Sequence, residues 1–335
     1  MARTATLLTA LVFLSPAFAQ RHLEIGVSSG VTHYYGDLGN IDGPVQWNSA
    51  RPGMQITFRD FLNNKKRYVT RSLTTEARLS WFRIGYDETA PMKGVDVLEL
   101  KNFKRGLSFR NDLLGASGHL VLNAYREPYT PLFQQRFFMY FHIGVGVYYG
   151  RPKADLFRGD IDPGNEYYFW EDGTIRDAPR GTPDAHVVER DGKHETDLYN
   201  WLTEGGVGAG NPGAAQRFSP WHVGIPMGAG VRVMATRKLS VGIEYCYLMF
   251  LTDMLDDVSD RYATYDEINA TYSDPRDQAL ARYISDPTGW GTNGEISKFT
   301  SQRGNPGLLD SFSYFSLEVS YKFKRSPGRK SYMSF

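Results

Sequence analysis

The sequence predicts an all-β protein, an eight-stranded antiparallel transmembrane β-barrel with long extracellular loops. Three observations predict this fold: an export signal at the start of the chain, eight segments in which apolar and polar residues alternate, and connections that are short and long in turn. The composition agrees, because 14% of the 335 residues are aromatic and 34 are glycine, although the mean hydropathy is only -0.42. A barrel with an apolar exterior and a polar interior has this mixture, and so has a soluble all-β protein.

Charge and cysteine content exclude several classes of function. The 38 basic and 37 acidic residues leave a net charge of +1, so no overall positive field favours nucleic acid as a partner. The single cysteine, Cys246, excludes an intrachain disulfide framework and any metal site built from several cysteines.

Residues 1–19 have the features of a cleavable signal peptide. A basic start at Arg3 precedes an apolar run that ends at Phe18, and Ala17 and Ala19 give a small-x-small cleavage site. We therefore expect cleavage after Ala19 and a single outer-membrane domain over residues 20–335. Beyond residue 19 no apolar stretch reaches about 20 residues, so the sequence predicts no transmembrane helix.

Eight segments alternate apolar residues with polar residues or glycine, at the period of two that is typical of strands. The fifth is the clearest, because its apolar residues from Phe137 to Val147 share one face and His142 lies on the other. The segments lie near residues 22–35, 54–59, 69–86, 105–124, 137–150, 221–233, 239–249 and 315–323. Eight such strands close into the smallest common membrane barrel.

Two features favour this barrel over a lipocalin-like soluble one, whose apolar residues point inward. The non-apolar faces carry charges of both signs that are expected to pair inside a packed lumen: Glu76, Arg78, Arg110, Asp112, Arg232 and Glu244. Aromatic residues also collect near strand ends, where membrane barrels have an interfacial girdle: Tyr34, Tyr35, Tyr148, Tyr149, Tyr321 and Phe323.

The connection lengths predict an orientation. With a periplasmic N-terminus, the inner turns are 61–68, 125–135 and 235–238, and the outer loops are 36–50, 87–104, 151–220 and 252–310. Short periplasmic turns and longer external loops are usual in these barrels. The two longest loops, about 151–220 and 252–310, are rich in turn signals, and one short helix is predicted around Asp277–Tyr283.

No residue pattern predicts catalysis, a cofactor or a metal centre. Gly26-Val27-Ser28-Ser29-Gly30 matches GxSxG, but it lies inside the first predicted strand and lacks the strand-to-helix turn that a nucleophile requires. His142 and His222 are expected on inner strand faces.

The acidic stretch 252–260 has two interpretations. Its carboxylates hold a cation such as Ca²⁺, or they cap turns and pair with Arg261 and Arg303. The spacing does not match an EF-hand, which favours the second interpretation.

Several short motifs lie at the ends of the predicted strands. They are Tyr35-Gly36-Asp37, Leu107-Ser108-Phe109-Arg110, Asp253 with Asp256 and Asp257, and Arg303-Gly304. Through these motifs the chain resembles the PorG-like outer-membrane barrels of the type IX secretion and gliding machinery of Bacteroidetes. The stretch Thr203-Glu204-Gly205-Gly206 departs from the family pattern, which has Gln after the first Gly, and the loops at 155–198 and 263–300 are longer.

The resemblance implies a non-enzymatic barrel in contact with outer-membrane lipids. Such a barrel anchors the periplasmic ring and lipoprotein subunits of the secretion system, with no nucleic acid and no small-molecule substrate. A barrel this narrow is filled by side chains and is not expected to be the export pore.

Partner contacts must come from periplasmic elements. The candidates are the turn at 125–135, the tail at 324–335 and the basic turn Lys65-Lys66-Arg67. Simple anchoring at lipid headgroups explains these basic residues equally well. Two alternative functions are a barrel that binds a ligand or an ion through its long external loops, and an outer-membrane enzyme, which the lack of a nucleophile–base pair disfavours.

Overall fold

The computed structural model describes residues 22–39, 47–61, 72–89, 102–124, 136–205, 218–236, 238–290 and 302–324. The predicted signal peptide at 1–19, the basic turn Lys65-Lys66-Arg67, the whole turn at 125–135 and nearly all of the tail lie outside the described residues.

Eight long strands form one closed antiparallel barrel. In chain order the strands are β1 (His22–Tyr35), β2 (Arg51–Phe61), β3 (Leu73–Asp87), β4 (Ser108–Asn123), β5 (Phe137–Tyr149), the two-residue strands β6 (Lys153–Ala154), β7 (Tyr168–Phe169), β8 (Ile175–Arg176) and β9 (Thr196–Asp197), then β10 (Trp221–Met234), β11 (Leu239–Phe250) and β12 (Ser311–Lys324). The long strands follow the order β1-β2-β3-β4-β5-β10-β11-β12, and β1 pairs with β12 to close the ring. The predicted fold class is confirmed.

The two ends of the barrel differ in their connections. The turn end joins β2 to β3, β4 to β5 and β10 to β11, and the last of these connections has only four residues, 235–238. The loop end joins the other pairs through longer segments, the longest of which run from 150 to 220 and from 251 to 310. This asymmetry is the predicted one.

The outer surface of the barrel is apolar. On β5 the residues Phe137, Met139, Phe141, Ile143 and Val145 are each at least half exposed, although all are hydrophobic. The other barrel strands expose hydrophobic residues on the same outer face, such as Leu79 on β3 and Leu317 on β12. Because a large apolar surface is stable in hydrocarbon and not in water, the barrel is a transmembrane one. Among the described residues, no helix is long and apolar enough to cross a membrane.

The strand faces follow the prediction except near the loop end of β4. Phe109 and Leu113 point into the barrel, whereas Arg110 and Asp112 lie on the outer face and are partly exposed. Arg110 and Asp112 are therefore not lumen charges, and their predicted placement was wrong. The physical reason is that the interior at this level is filled largely by apolar side chains, so the charged residues of β4 point outward there, while the uncharged Asn111 points inward and donates a 2.8 Å hydrogen bond to the Leu255 carbonyl.

The aromatic girdle is smaller than predicted. Tyr35, Tyr149, Tyr321 and Phe323 lie on the outer face near strand ends. Tyr34 and Tyr148, in contrast, are fully buried inside the barrel and belong to its apolar core. The neighbouring residue in each Tyr-Tyr pair points the other way, because successive side chains of a strand alternate between its faces.

The two longest loops fold together above the loop end. They contain β6 paired with β9, β7 paired with β8, and the helices α1 (Tyr265–Thr271) and α2 (Pro275–Ser285). Leu156 and Leu198 from one loop pack with Leu280 and Ile284 of α2. The helix predicted at Asp277–Tyr283 is confirmed as part of α2, while α1 was missed although Thr264 and Glu267 form a capping box at its start.

Candidate functional site: the filled lumen and its acidic cap

Ion pairs fill the half of the lumen nearest the turn end. Four acidic and four basic side chains of the barrel strands are buried there: Glu24, Glu76, Glu244, Glu318, Arg59, Arg78, Arg232 and Lys322. Arg59 is completely buried and hydrogen-bonds Glu24 at 3.0 Å, Glu76 and Glu318. Equal numbers of opposite charges reduce the cost of removing each from water. The predicted lumen positions of Glu76, Arg78, Arg232 and Glu244 are confirmed.

One ion pair spans the full width of the barrel. The guanidinium of Arg78 on β3 binds Glu244 on β11 through two hydrogen bonds of 2.6 and 2.9 Å. In the ring of eight strands, β3 and β11 are four places apart and therefore face each other. Tyr140 of β5 donates a further hydrogen bond of 2.9 Å to Glu244. Side chains from three sides thus meet on the barrel axis and block it at this level.

Histidines continue this polar layer. His142 lies 3.1 Å from His119 through their Nδ1 atoms and 3.4 Å from Glu244. His222 is also buried, so both histidines predicted on inner faces lie there. Ser28, the serine of the GxSxG string, lies within β1, with no strand-to-helix turn around it.

Aromatic side chains fill the lumen next to the loop end. Phe82 packs edge-on against Phe312 and Tyr314, with ring centroids 5.2 and 4.8 Å apart. Phe250 lies between Tyr148 and Phe312 at 5.2 and 5.7 Å. This apolar layer is a second barrier along the axis, above the ion pairs.

A cluster of carboxyl groups, the acidic cap, covers the aromatic layer. It contains Asp37, Glu204, Asp253, Asp256, Asp257 and Asp310, from three of the four outer loops. Tyr34 at the end of β1 donates hydrogen bonds to Asp256 and, at 3.3 Å, to Asp310. Backbone N–H groups of Leu255 and Val258 donate to Asp310 and Asp256 at 2.8 and 2.9 Å.

Arg303 is the main cation of the cap. Its guanidinium donates to the backbone carbonyl of Asp257 and lies 3.6 Å from the Asp257 carboxylate and 3.3 Å from Glu204. The predicted pairing of Arg303 with the acidic stretch is confirmed. Arg261 instead forms a 2.7 Å ion pair with Glu267 of α1, so its predicted pairing with Asp256 or Asp257 was wrong. The unrecognised helix α1 places Glu267 beside it.

Burial controls the protonation of the cap. It raises the pKa of Asp253 to about 8 and that of Asp256 to about 7. It also raises the pKa of Asp257 well above its usual value, although Arg303 opposes the shift. A carboxyl group of this kind holds its proton near neutral pH, which lets neighbouring acidic groups share a small volume.

The loop between β3 and β4 also contacts the cap. Arg105 binds the buried Glu88 and also donates to the backbone carbonyls of Asp37 and Arg303, at 2.7 and 3.0 Å. Glu88 and Arg105 were not predicted as site residues, and Glu204 was predicted only as part of a loop turn. Their positions next to strand ends were visible, but their partners lie far away along the chain.

Two family-motif glycines allow close approach in the cap. A Cβ atom at Gly36 would lie 2.0 Å from the Tyr34 hydroxyl and 2.3 Å from Asp310, and one at Gly304 would lie 2.4 Å from Asp37. The Asp37 carboxylate accepts a 2.8 Å hydrogen bond from the backbone of Asn305, next to Gly304. Glycine is required at both positions because any side chain would displace a cap group.

The structure brings most of the family-motif residues to this region. Gly36, Asp37, Asp253, Asp256, Asp257, Arg303 and Gly304 belong to the cap, while Leu107 and Phe109 lie in the apolar core below it. Ser108 is buried and its hydroxyl lies 3.4 Å from the Asp155 amide. Tyr35 and Arg110 do not join the cap: Tyr35 contacts Ser313 at 3.2 Å, and Arg110 faces His194 on the outer side.

The contacts of the cap hold the outer loops in a fixed arrangement and leave little empty space. Its carboxyl groups are held by backbone amides, by Tyr34 and by Arg303, and the cavity beside Asp256 and Arg303 has room for about one water molecule.

No protein-family model and no curated protein matches the sequence. Among solved structures, the chain is similar to Ail, the attachment invasion locus protein of Yersinia pestis, at 9% identity over 91% of this chain and 99% of that chain, with a TM-score of 0.34. It is also similar to OprG of Pseudomonas aeruginosa, at 8% identity over 92% and 99% with a TM-score of 0.34. A major outer membrane protein from Thermus thermophilus gives 11% identity over 90% and 99%, with a TM-score of 0.33. The fold assignment rests on the strand pairing and the apolar exterior described above.

Proposed function

We propose that the chain is a structural outer-membrane component of a type IX secretion system, which anchors periplasmic ring and lipoprotein subunits to the membrane. The ion pair between Arg78 and Glu244 carries this proposal, because a bridge across the barrel axis suits an anchor and obstructs a conduit. The aromatic layer and the acidic cap add two further barriers. The family resemblance supplies the identity of the partners.

An anchor of this kind requires partner contacts at the turn end. The external loops are committed to the cap and to the packed helices, so they leave the short connections and the termini for periplasmic subunits. The basic turn Lys65-Lys66-Arg67, between β2 and β3, is the leading candidate because its charge is concentrated in three consecutive residues.

A pull-down from native outer membranes in mild detergent tests the proposal. We expect the tagged barrel to recover ring-forming periplasmic proteins, and a triple Gln variant of Lys65, Lys66 and Arg67 to lose them. The matched control replaces three exposed basic residues of the loop end by Gln: Lys104, Lys153 and Arg276. The control should retain the partners.

Recovery of no partner by the unmodified barrel would refute the anchoring role. A parallel measurement in planar bilayers should show no steady conductance for the isolated barrel. A stable open conductance would contradict the assignment of the lumen as a filled one.

A further inference from the structure

Three carboxylates that are not part of the acidic cap meet at the base of the external loops. Asp155 directly follows β6, Glu195 directly precedes β9, and Asp191 lies four residues before Glu195. The pairing of β6 with β9 places Ala154 opposite Thr196, so Asp155 and Glu195 emerge next to each other at the same end of the strand pair. One oxygen from each of the three carboxylates lies within 4.8 Å of the others.

In each of the two carboxylates next to the strands, only one of the two oxygens accepts hydrogen bonds. Asp155 is 2% exposed, and its Oδ2 accepts a 2.6 Å hydrogen bond from the Gly192 amide. Glu195 accepts from the amides of Leu156 and Phe157 through Oε1, at 2.9 and 2.8 Å. Asp155 Oδ1 and Glu195 Oε2 are buried and have no hydrogen-bond donor among the described residues.

Nearby basic residues neutralise the group only in part. Lys193 is largely exposed and reaches Asp191 at 3.2 Å. Arg190 lies near Asp155, but its guanidinium hydrogen-bonds Asp87 and the Gly106 carbonyl at 2.8 and 2.9 Å. Burial raises the pKa of both Asp155 and Glu195. An orphaned carboxylate oxygen in a buried position has a large desolvation cost, which a bound cation removes.

The donor set selects a hard divalent cation. All three side chains offer oxygen, and ligand oxygens on opposite sides of Ca²⁺ are about 4.6–5.2 Å apart, from Ca–O distances of about 2.3–2.6 Å. The three oxygens, all within 4.8 Å of one another, are therefore close enough together to bind one Ca²⁺. Mg²⁺ is less suited to a site of three carboxylates, because it usually keeps several waters and binds through one or two carboxylates.

We propose that Asp155, Asp191 and Glu195 form a Ca²⁺ site that fastens the base of the loop at 150–220. Water and backbone carbonyls complete the coordination. The ion joins the two ends of the segment between β6 and β9, which carries the β7–β8 pair. The site is independent of the anchoring role, because it lies at the other end of the barrel from the proposed partner contacts.

Terbium luminescence provides the direct test. The Tyr167 hydroxyl accepts a 2.9 Å hydrogen bond from the Asp191 amide, so its ring is close enough to sensitise Tb³⁺ bound at the site. The barrel is refolded in detergent from inclusion bodies, which keeps lipopolysaccharide and its bound cations out of the sample. We expect saturable Tb³⁺ emission that Ca²⁺ displaces, with a dissociation constant for Ca²⁺ of about 10⁻⁴–10⁻³ M, as in extracellular modules.

Three variants distinguish the site from general surface charge. Asp155→Asn and Glu195→Gln should each weaken Ca²⁺ binding at least tenfold, and each should remove the protection that Ca²⁺ gives the segment at 155–195 against trypsin. Asp184→Asn is the matched control, because Asp184 is an exposed residue of the same loop in the left-handed region, which Asn tolerates. Circular dichroism of each variant verifies the barrel fold.

Unsaturable Tb³⁺ emission in the unmodified barrel would overturn the proposal. Equal weakening by Asp184→Asn and Asp155→Asn would also overturn it. If both site variants fail to fold, the test is whether Ca²⁺ protects the segment at 155–195 of the unmodified chain against trypsin. Protection at submillimolar Ca²⁺, but not at the same concentration of Mg²⁺, supports the site. No protection by Ca²⁺ refutes it.

Discussion

Replacing Arg59 by Met tests whether the lumen ion pairs hold the barrel together. Arg59 is shared by Glu24, Glu76 and Glu318, and all four side chains are buried. Glu76 keeps Arg78 as a partner after the substitution, and Glu318 keeps Arg232 at 3.5 Å. Glu24 loses its hydrogen-bonded cation, although the charges of Arg232 and Lys322 remain near it, so the expected loss is at most that of one buried pair, about 3–5 kcal/mol, and not three times that amount.

The same substitution at Arg83 is the matched control. Arg83 pairs with Asp112 at 2.8 Å on the outer face, where the side chain of Arg83 is 33% exposed. An ion pair of this kind contributes about 0–1 kcal/mol. The measurement is urea-induced unfolding of each variant in phospholipid vesicles, followed by tryptophan fluorescence.

The refuting result is a loss for Arg59→Met that equals the loss for Arg83→Met. A second variant checks the mechanism: adding Glu24→Gln to Arg59→Met removes the carboxylate that has lost its cation, and part of the stability should return. No recovery in the double variant would show that packing, and not charge, explains the loss.

Three further changes test a close strand contact, the protonation of the cap and the role of Arg303. Gly30→Ala should destabilise the barrel by about 1–3 kcal/mol, because its Cβ would lie 2.0 Å from a β12 carbonyl oxygen. Gly118→Ala is the control and should be neutral, because the space around its Cβ is open. Equal effects of the two substitutions on unfolding would contradict this reasoning. Asp253 has a folded-state pKa of about 8, above its usual value near 4, so its protonated form stabilises the cap, and this stabilisation is lost as the pH rises through about 8. Cap stability should therefore fall between pH 5 and pH 8.5. It is measured by hydrogen exchange of the cap amides, corrected for the intrinsic exchange rate at each pH. Asp253→Asn should make this stability less dependent on pH. Arg303→Gln should speed tryptic cleavage of the loop at 251–310, while Arg276→Gln, which removes an exposed ion pair, should not; equal rates would show that Arg303 does not hold the cap.

The barrel could be predicted from the sequence because one physical constraint acts along the whole of each strand. Lipid contact requires an apolar residue at every second position, and this period is visible in β5 without knowledge of any partner. The prediction failed at Arg110 and Asp112, where the apolar residues change from the outer to the inner face of β4. Leu113 and Leu114 are adjacent at that point, with Leu113 buried and Leu114 exposed, and two consecutive apolar residues in an alternating strand are the signal of this change.

The cap was only partly predictable because its contacts join distant parts of the chain. The acidic stretch and Arg303 were recognisable as opposite charges near strand ends. Glu204 carries no local signal of its role, since Arg303 is its partner across 99 positions. Arg261 was assigned the wrong carboxylate because the helix α1 was not predicted. Without that helix, nothing in the sequence indicated that Glu267 would lie next to Arg261.

All four outer loops are tied to one another through the cap, and this argues against gating. Arg105 of the second loop binds the backbone of Asp37 in the first and of Arg303 in the fourth, and Arg303 binds Glu204 of the third. Displacing the third or the fourth loop would break the buried Arg303–Glu204 ion pair, at a cost of several kcal/mol, and displacing the first or the second would break the hydrogen bonds that Arg105 donates to backbone carbonyls of the first and fourth loops. A gate requires a segment that opens while its neighbours stay in place. A closed network that opens only as a whole is better suited to a permanent closure of the loop end than to a gate.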